Sequence, residues 1–317
     1  MIKSPNVKLL AAIALLAGFI AADSLAALAD ATQPATQPSA PATSASSAQP
    51  PDKWQFTLFN PTPTNQLRTM DTDRPNITNT PHTIDAGHVQ IETGFVDYAY
   101  YRDDSHGVNL RQDDFDFGQF NFRLGVLNDL ELNAVINTYD LAETHDYLAD
   151  TNFRAGSFGD TVVGGKLNIF GDDGDGSPWS SALAIQPQFK IPTARDNVGN
   201  GKFEFLVQAP YYLYLPAGFG LGLQPGISHE RNDLSDGYTT GFPASICLDR
   251  VVISNLDVYL EFACDPTTQT HTETDQTIDI GGTYPLNDNV VLDTGVNFGL
   301  NRASTTVEVL AGISVRF

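Results

Sequence analysis

The last fourteen residues of the chain, 304–317, alternate between apolar and polar side chains. One parity carries Thr305, Val307, Val309, Ala311, Ile313, Val315 and Phe317, and the other carries Thr306, Glu308, Leu310, Gly312, Ser314 and Arg316. Because successive side chains of a β-strand project to opposite faces, this stretch predicts a strand with one apolar face and one largely polar face. If this strand closes a sheet, the earlier segments must alternate as well.

Alternation with a period of two, bounded by turn residues, recurs through the chain from about residue 87. It predicts twelve strands, at about 87–101, 114–127, 129–140, 158–170, 179–192, 202–216, 219–231, 244–253, 255–265, 275–286, 289–301 and 304–317. Bacterial single-chain membrane barrels have an even number of strands. The pattern therefore predicts an all-β fold, a transmembrane antiparallel β-barrel of about twelve strands over residues 87–317.

The connections between the predicted strands support this interpretation. Long polar connections, such as residues 102–113 and 140–157, alternate with short ones such as Asn128-Asp129 and Asn287-Asp288. Extracellular loops and periplasmic turns alternate in the same way along an outer-membrane barrel. Tyrosines near the strand ends, including Tyr212 and Tyr214, are placed as expected for aromatic girdles at the membrane interfaces.

The polar parity should line the lumen, because a charge on the lipid face costs roughly 2–4 kcal/mol near the midplane. The predicted lumen charges are Glu92, Arg123, Glu131, Lys166, Lys190, Glu204, Asp257, Glu261, Asp279, Asp293, Glu308 and Arg316. A water-soluble sandwich would reverse the two faces and bury the apolar one. Predicted strands of about fourteen residues favour the membrane barrel, since soluble strands average about five or six residues.

Eight acids and four bases make up the predicted lumen charges. One hypothesis is a pore that prefers cations or tolerates uncharged solutes, because its interior carries excess negative charge. The other is that Arg123, Lys166, Lys190 and Arg316 pair with acids on neighbouring strands and have only a structural role.

The amino-acid composition argues against some classes of binding partner. The net charge of -21, from 38 acidic and 17 basic residues, argues against nucleic acid and against anionic surfaces. A hydrophobic content of 41% with a mean hydropathy of -0.17 predicts no membrane-spanning helix beyond the N-terminus.

The N-terminus has the features of a secretory signal peptide. Lys3 and Lys8 precede an apolar run at residues 9–22 and an Ala-Leu-Ala cleavage site at residues 27–29. We therefore predict a signal peptide at residues 1–31. Residues 32–53, rich in Ala, Thr, Gln, Ser and Pro, predict a disordered spacer.

Two sequence blocks carry a resemblance to a known family. The first reads TDRPNITNTP at residues 72–81, followed by IDAGHVQIETGF at residues 84–95. The second consists of FGD at 158–160, Lys166, QFKIPT at 188–193 and GNGKFE at 199–204. Over residues 70–317 the chain resembles the family named for the MetA (meta-cleavage) pathway of phenol degradation, although Ala194 stands where that family usually has glycine.

The resemblance implies an outer-membrane channel or transporter, not an enzyme, that moves small molecules passively, with hydrophobic or aromatic compounds as the solute class. A last strand ending in Phe317 also resembles the C-terminal signature of outer-membrane barrels, which serves as their assembly signal. That likeness implies the outer membrane of a Gram-negative-type bacterium, with membrane lipid and the barrel-assembly machinery as partners. The alternative is a structural or surface-interaction barrel with a closed lumen.

Residues 54–86 precede the first predicted strand and contain four prolines, so they cannot join the interior of a sheet. They are long enough to fold into the lumen as a partial plug, with Asp73 and Arg74 of the Asp73-Arg74-Pro75 motif meeting lumen charges. The alternative is a periplasmic lead-in that only positions the first strand.

Cys247 and Cys264 lie on strands joined by the tight turn near residue 255. If this turn centres between Asn255 and Leu256, the two cysteines are opposite each other, and we predict a disulfide. The acidic turn at residues 171–178 lacks the spaced glutamate of an EF-hand calcium loop, so no metal site is predicted. Ser228 and His229 are adjacent in one strand and face opposite sides, so neither catalytic residues nor a cofactor are expected.

Overall fold

The structure is a computed structural model that describes residues 53–105, 107–195, 198–232, 237–253, 255–269 and 273–317. The predicted signal peptide, residues 1–31, lies outside the described residues, as does the predicted spacer except for Lys53. No helix in the described ranges is both long and apolar enough to cross a membrane.

Antiparallel strands dominate the described residues. They are β1 (Val89–Asp103), β2 (Leu110–Leu127), β3 (Leu130–Asp146), β4 (Thr151–Ser157), β5 (Thr161–Phe170), β6 (Ser181–Ile191), β7 (Glu204–Gln208), β8 (Tyr211–Tyr214), β9 (Phe219–Arg231), β10 (Tyr238–Gly241), β11 (Ala244–Ile253), β12 (Leu256–Asp265), β13 (Asp275–Asn287), β14 (Val290–Gly299) and β15 (Val307–Arg316). Three short 3-10 helices lie at Lys53–Gln55, Thr64–Gln66 and Pro216–Gly218.

The sheet closes on itself as a barrel. Consecutive strand positions pair with each other around the barrel, and β15 pairs with β1 to complete the ring. Three barrel positions consist of two pieces each: β4 and β5 both pair with β3, β7 and β8 both pair with β6 and β9, and β10 and β11 both pair with β9. The result is a closed antiparallel barrel of twelve strand positions, so the predicted fold class is confirmed.

Two of the interruptions lie at prolines. Ala209 and Pro210 separate β7 from β8, and Phe242 and Pro243 separate β10 from β11. Proline has no backbone N–H to donate to the ladder, so it interrupts a strand inside a sheet. The sequence pattern predicted each of these pairs as one strand or as a strand preceded by a loop.

Two predicted long loops are instead extended hairpins. The β1–β2 ladder continues to the pair Asp103 and Leu110, and the β3–β4 ladder continues to Asp146 and Thr151. Residues 102–113 and 140–157 were therefore wrongly predicted as open loops. Outside a membrane both faces of a hairpin contact water, so a ladder can continue through a polar sequence that has no apolar face.

The two faces of the barrel have the polarity of a membrane protein. The lumen side buries charge, with Arg123 and Lys166 both 0% exposed, whereas Leu132 and Leu292 on the outer face are 53% and 37% exposed. A soluble protein would bury the leucines and expose the charges. The outer face therefore suits hydrocarbon, and the inner face holds the charged residues.

The cysteine prediction is wrong. In the β11–β12 ladder Cys247 lies opposite Glu261, and Cys264 lies opposite Ala244, so the cysteines are three residues out of register. An odd offset places them on opposite faces of the sheet. The turn is centred one residue earlier than assumed, because Ile253 pairs with Leu256, and the register shifts again between Val251 and Ile253. Both thiols are free.

Candidate functional site: a lumen crossed by residues 54–86

Residues 54–86, called the N-terminal segment below, form a loop inside the barrel. The segment starts beside the short β2–β3 turn, where the Leu58 N–H donates to the Val126 carbonyl at 2.8 Å. It returns to the same end, because the Thr62 N–H donates to the Ala86 carbonyl at 2.9 Å. This end, which also holds the other short turns, is called the short-turn end. Between Thr62 and Ala86 the loop contacts lumen side chains on both walls.

One side of the loop is held by a buried ionic cluster on β1, β2, β3 and β5. Lys166 Nζ lies 2.7 Å from Asp73 Oδ1. Arg123 lies 2.8 Å from Glu92 and 2.9 Å from Glu131, and all four of these lumen side chains are 0% exposed. Such charges are tolerated in a buried site only when each has an opposite charge and hydrogen bonds. The loop supplies that compensation, since Asp73 is the closest partner of Lys166.

Arg74 makes the next contact toward the long-loop end. Its guanidinium lies 3.3 Å from Asp97 and 3.3 Å from Asp293. It passes over Gly94 and Gly312, a facing pair on β1 and β15, where a Cβ on either glycine would lie within 3 Å of an Arg74 nitrogen. Pro75 follows in a cis peptide and is buried.

The opposite wall holds the loop by hydrogen bonds to uncharged groups of the segment. The backbone N–H groups of Ile77 and Thr78 each donate to a Glu261 carboxylate oxygen at 2.7 Å. The Asn79 N–H donates to Gln224 at 2.8 Å, and its side chain donates to Gln186 at 3.0 Å. These contacts complete a bridge of protein across the lumen, from the ionic cluster on one wall to β6, β9 and β12 on the other.

A second ionic cluster closes the short-turn end. Arg68 pairs with Asp85 and Asp172, and Lys53 lies 2.8 Å from Asp173. Partial burial opposes ionisation of Asp173, but hydrogen bonds from Lys53 and from the neighbouring turn hold its pKa below the usual value. The acidic turn at residues 171–178 is therefore the partner of Arg68 in the segment and of Lys53 directly before it.

The structure gives each predicted lumen base an acidic neighbour. Besides Arg123 and Lys166, Lys190 lies 2.7 Å from Glu204 on the next strand, and Arg316 lies 4.0 Å from Asp85. Arg316 also donates to the Arg68 carbonyl at 2.8 Å. The four bases thus make ties between strands or to the segment.

The predicted lumen acids divide into two groups. Glu92, Glu131, Glu204 and Asp293 have a basic partner within 4.0 Å. Asp257, Glu261, Asp279 and Glu308 make no ion pair with any described residue. The second group lies on β12, β13 and β15, so the predicted lumen acids without an ion pair share one side of the barrel.

The described part of the barrel contains two cavities of note. A cavity of about 620 Å³ opens at the long-loop end, among residues that include Glu204, Arg231 and Arg302. A cavity of about 160 Å³ lies between the segment and the wall formed by β8, β11, β12 and β13. The contacts of Thr78 and Asn79 with Glu261 and Gln224 lie between them.

Sequence reasoning missed several residues of the smaller cavity. Tyr212 and Tyr214 were predicted as girdle residues, but both line this cavity, together with Cys247 and Asp249. Their sequence signal is weak because the two parities of β8 and of β11 do not separate polar from apolar residues. Thr78 was also missed, since threonines are frequent in irregular segments and nothing in the sequence marks this one. Within the described ranges, no three His, Cys, Asp or Glu side chains are grouped so as to hold one metal ion.

Solved structures similar to this chain are membrane barrels. An outer membrane channel from Pseudomonas putida F1 is 11% identical, with 73% of this chain and 94% of that chain covered and a TM-score of 0.49. The translocator domain of the autotransporter NalP from Neisseria meningitidis is 11% identical, with 73% and 88% covered and a TM-score of 0.48. Nothing about function follows from likenesses of this size.

No curated protein sequence matches the chain significantly. A family profile matches it from the Asp73 motif to the C-terminal strand, and this span includes both walls of the lumen and the buried part of the segment. The chain belongs to the family described as "Putative MetA-pathway of phenol degradation", whose profile covers residues 72–317.

Proposed function

We propose that the protein is an outer-membrane channel for the passive movement of small molecules and that the N-terminal segment controls its opening. The observation that supports this most is the bridge between Thr78 and Glu261, which separates a cavity at the long-loop end from one near the short-turn end. We expect the loss of these few hydrogen bonds to open a path between the cavities along the β12 wall. The description of the family suggests hydrophobic or aromatic compounds as solutes.

The segment is held more strongly on one wall of the lumen than on the other, which supports a movement in which it detaches from one wall and stays attached to the other. On one wall the loop is held by buried ion pairs, which are expensive to break singly, at about 3–5 kcal/mol. On the other wall Glu261 and Gln224 hold it by hydrogen bonds, each with a net value of about 0.5–3 kcal/mol. Movement should therefore begin at the second wall.

A permanently closed barrel with a structural or surface-interaction role is the second candidate. It is favoured by the fully buried Lys166, Arg123, Glu92 and Glu131, which leave the segment firmly attached. The two functions differ in whether residues 54–86 can leave the β12 wall without loss of the barrel.

Conductance of the refolded protein in a planar bilayer distinguishes them. Thr78 Oγ1 lies 2.6 Å from Ser245 Oγ, so Thr78→Cys with Ser245→Cys should cross-link, in a background of Cys247→Ser and Cys264→Ser. The channel function predicts steady conductance when the pair is reduced, lower conductance when it is oxidised, and higher conductance after deletion of residues 54–86. The Thr78→Cys variant alone serves as the redox control. No conductance from any folded form, the deletion included, would favour the closed barrel.

A further inference from the structure

The cavity of about 160 Å³ combines tyrosine rings with carboxylates. Tyr212, Tyr214 and Tyr259 contribute from β8 and β12. Asp71, Asp249 and Asp257 contribute from the N-terminal segment, β11 and β12. A cavity of similar size in another protein is large enough to hold benzene, so this one can take a small organic group.

The rings and carboxylates are fixed relative to each other. The Tyr212 hydroxyl donates to Asp249 at 2.7 Å, and the Tyr212 and Tyr214 rings meet edge to face with centroids 4.8 Å apart. Asp249 is opposite Tyr259 in the β11–β12 ladder, and Asp257 is opposite Val251. Asp249 and Asp257 are therefore diagonal neighbours, with a backbone separation of about 7–8 Å. This spacing leaves room for a group larger than a bare metal ion.

The wall also presents polar atoms that lack partners. Tyr259 is only 5% exposed and lines the cavity, yet its hydroxyl makes no hydrogen bond to any residue in the described part of the chain. Asp257 Oδ1 is buried and likewise makes none. Buried polar atoms are normally paired, because an unpaired one loses its hydrogen bonds to water without replacement. A positive charge bound in the cavity would compensate the Asp257 carboxylate.

The basic groups of the cavity are already engaged. Arg74 is shared between Asp97 and Asp293. The His82 ring lies 2.8 Å from Asp71 and 3.4 Å from the Tyr214 hydroxyl. Neither is within salt-bridge distance of Asp249 or Asp257. These two carboxylates therefore face the cavity without a cation.

We propose that this cavity is a binding site for a small organic cation, a substituted ammonium ion. Aromatic faces attract such cations through their quadrupole. Asp249 and Asp257 supply the opposite charge. The site adds to the proposed channel and does not depend on conduction, because binding can occur in the closed barrel.

Isothermal titration of the full chain in detergent micelles tests the site, with tetramethylammonium chloride as the probe. Tert-butanol, a neutral molecule of nearly the same shape, and potassium chloride at equal ionic strength are the comparisons. We expect saturable binding of one tetramethylammonium per chain, and no binding of tert-butanol. Asp257→Asn should weaken binding about tenfold, which corresponds to about 1.4 kcal/mol.

The matched control is Asp116→Asn. Asp116 faces Asp97 and Asp140 in the β1–β2–β3 ladders and does not line the cavity, so the same change of charge there should alter binding less than about twofold. Equal weakening by both variants would mean that the general charge of the lumen attracts the probe, and would overturn the proposal. Equal binding of potassium or of tert-butanol would overturn it as well. Tyr214→Leu, which removes a ring but no charge, should also weaken the binding of tetramethylammonium severalfold.

Discussion

Lys166 Nζ lies 2.7 Å from Asp73 Oδ1, and this contact joins a barrel strand to a residue 93 positions earlier in the chain. Both side chains are withdrawn from solvent, and Arg123 lies 3.6 Å from the same aspartate. The pair is the centre of the attachment between the N-terminal segment and the wall of the barrel.

Replacement of Lys166 by methionine should release this attachment. The change leaves Asp73 with Arg123 as its remaining base, and breaking a buried pair from one side costs about 3–5 kcal/mol. We expect the variant barrel to fold and to conduct more current than the wild type. The amide hydrogens of its N-terminal segment should exchange faster than those of the wild type. Arg154→Met, which breaks the exposed pair with Glu143, is the control and should leave both properties unchanged. Unaltered exchange in Lys166→Met would contradict the role given to this pair.

The register of β11 and β12 predicts that the protein has no disulfide. Cys247 faces the lumen beside Asn76, and Cys264 lies on the opposite face. When unreduced protein is denatured in iodoacetamide, we expect mass spectrometry to find both cysteines alkylated. A mass two hydrogens below the reduced form, with no alkylation, would refute this register.

A charged side chain on the outer face should destabilise the barrel. Leu292 is exposed on this face, and its chain neighbour Asp293 points to Arg74 in the lumen. Leu292→Arg should destabilise the barrel by about 2–4 kcal/mol if the position is near the membrane midplane, measured by urea unfolding in liposomes. Leu292→Met, which retains an apolar side chain, should cost much less. Equal stability of the two variants would argue against contact with hydrocarbon at this strand.

The pKa of Asp71 predicts how the stability of the folded protein changes at acidic pH. Its enclosure in the lumen opposes ionisation, but hydrogen bonds from His82 and Thr80 lower the pKa of Asp71 to about 2. A lowered pKa in the folded state contributes stability above the unfolded value, near 3.8, and this contribution is lost as the pH falls toward 2. The wild type should therefore exceed Asp71→Asn in stability at about pH 5, and the difference should shrink at about pH 2.5. Since 46% of the Asp71 side chain is exposed, the effect should be modest. A difference that grows on acidification would contradict the assignment.

The barrel fold could be predicted from the sequence because the alternation of polar and apolar residues along a strand is a local pattern. Alternation in residues such as Leu292 and Asp293 assigns each side chain to lipid or lumen without knowledge of its neighbours. The position of the segment was not predictable, because Asp73 and Arg74 could equally have stayed in solvent. Which lumen acids meet them depends on register across several strands. The cysteine error has the same origin, since the position of the turn and a register shift between Val251 and Ile253 together moved Cys247 away from Cys264.

The hydrogen bonds at the short-turn end place the N-terminal segment beside the seam where the barrel closes. Phe317 pairs with Val89 where the first and last strands meet, and Arg316 reaches the backbone of Arg68 in the N-terminal segment. The barrel therefore closes next to the place where the N-terminal segment enters the lumen. We expect the segment to enter the lumen before β1 and β15 pair. If the strands paired first, the barrel would close with the segment still outside the lumen.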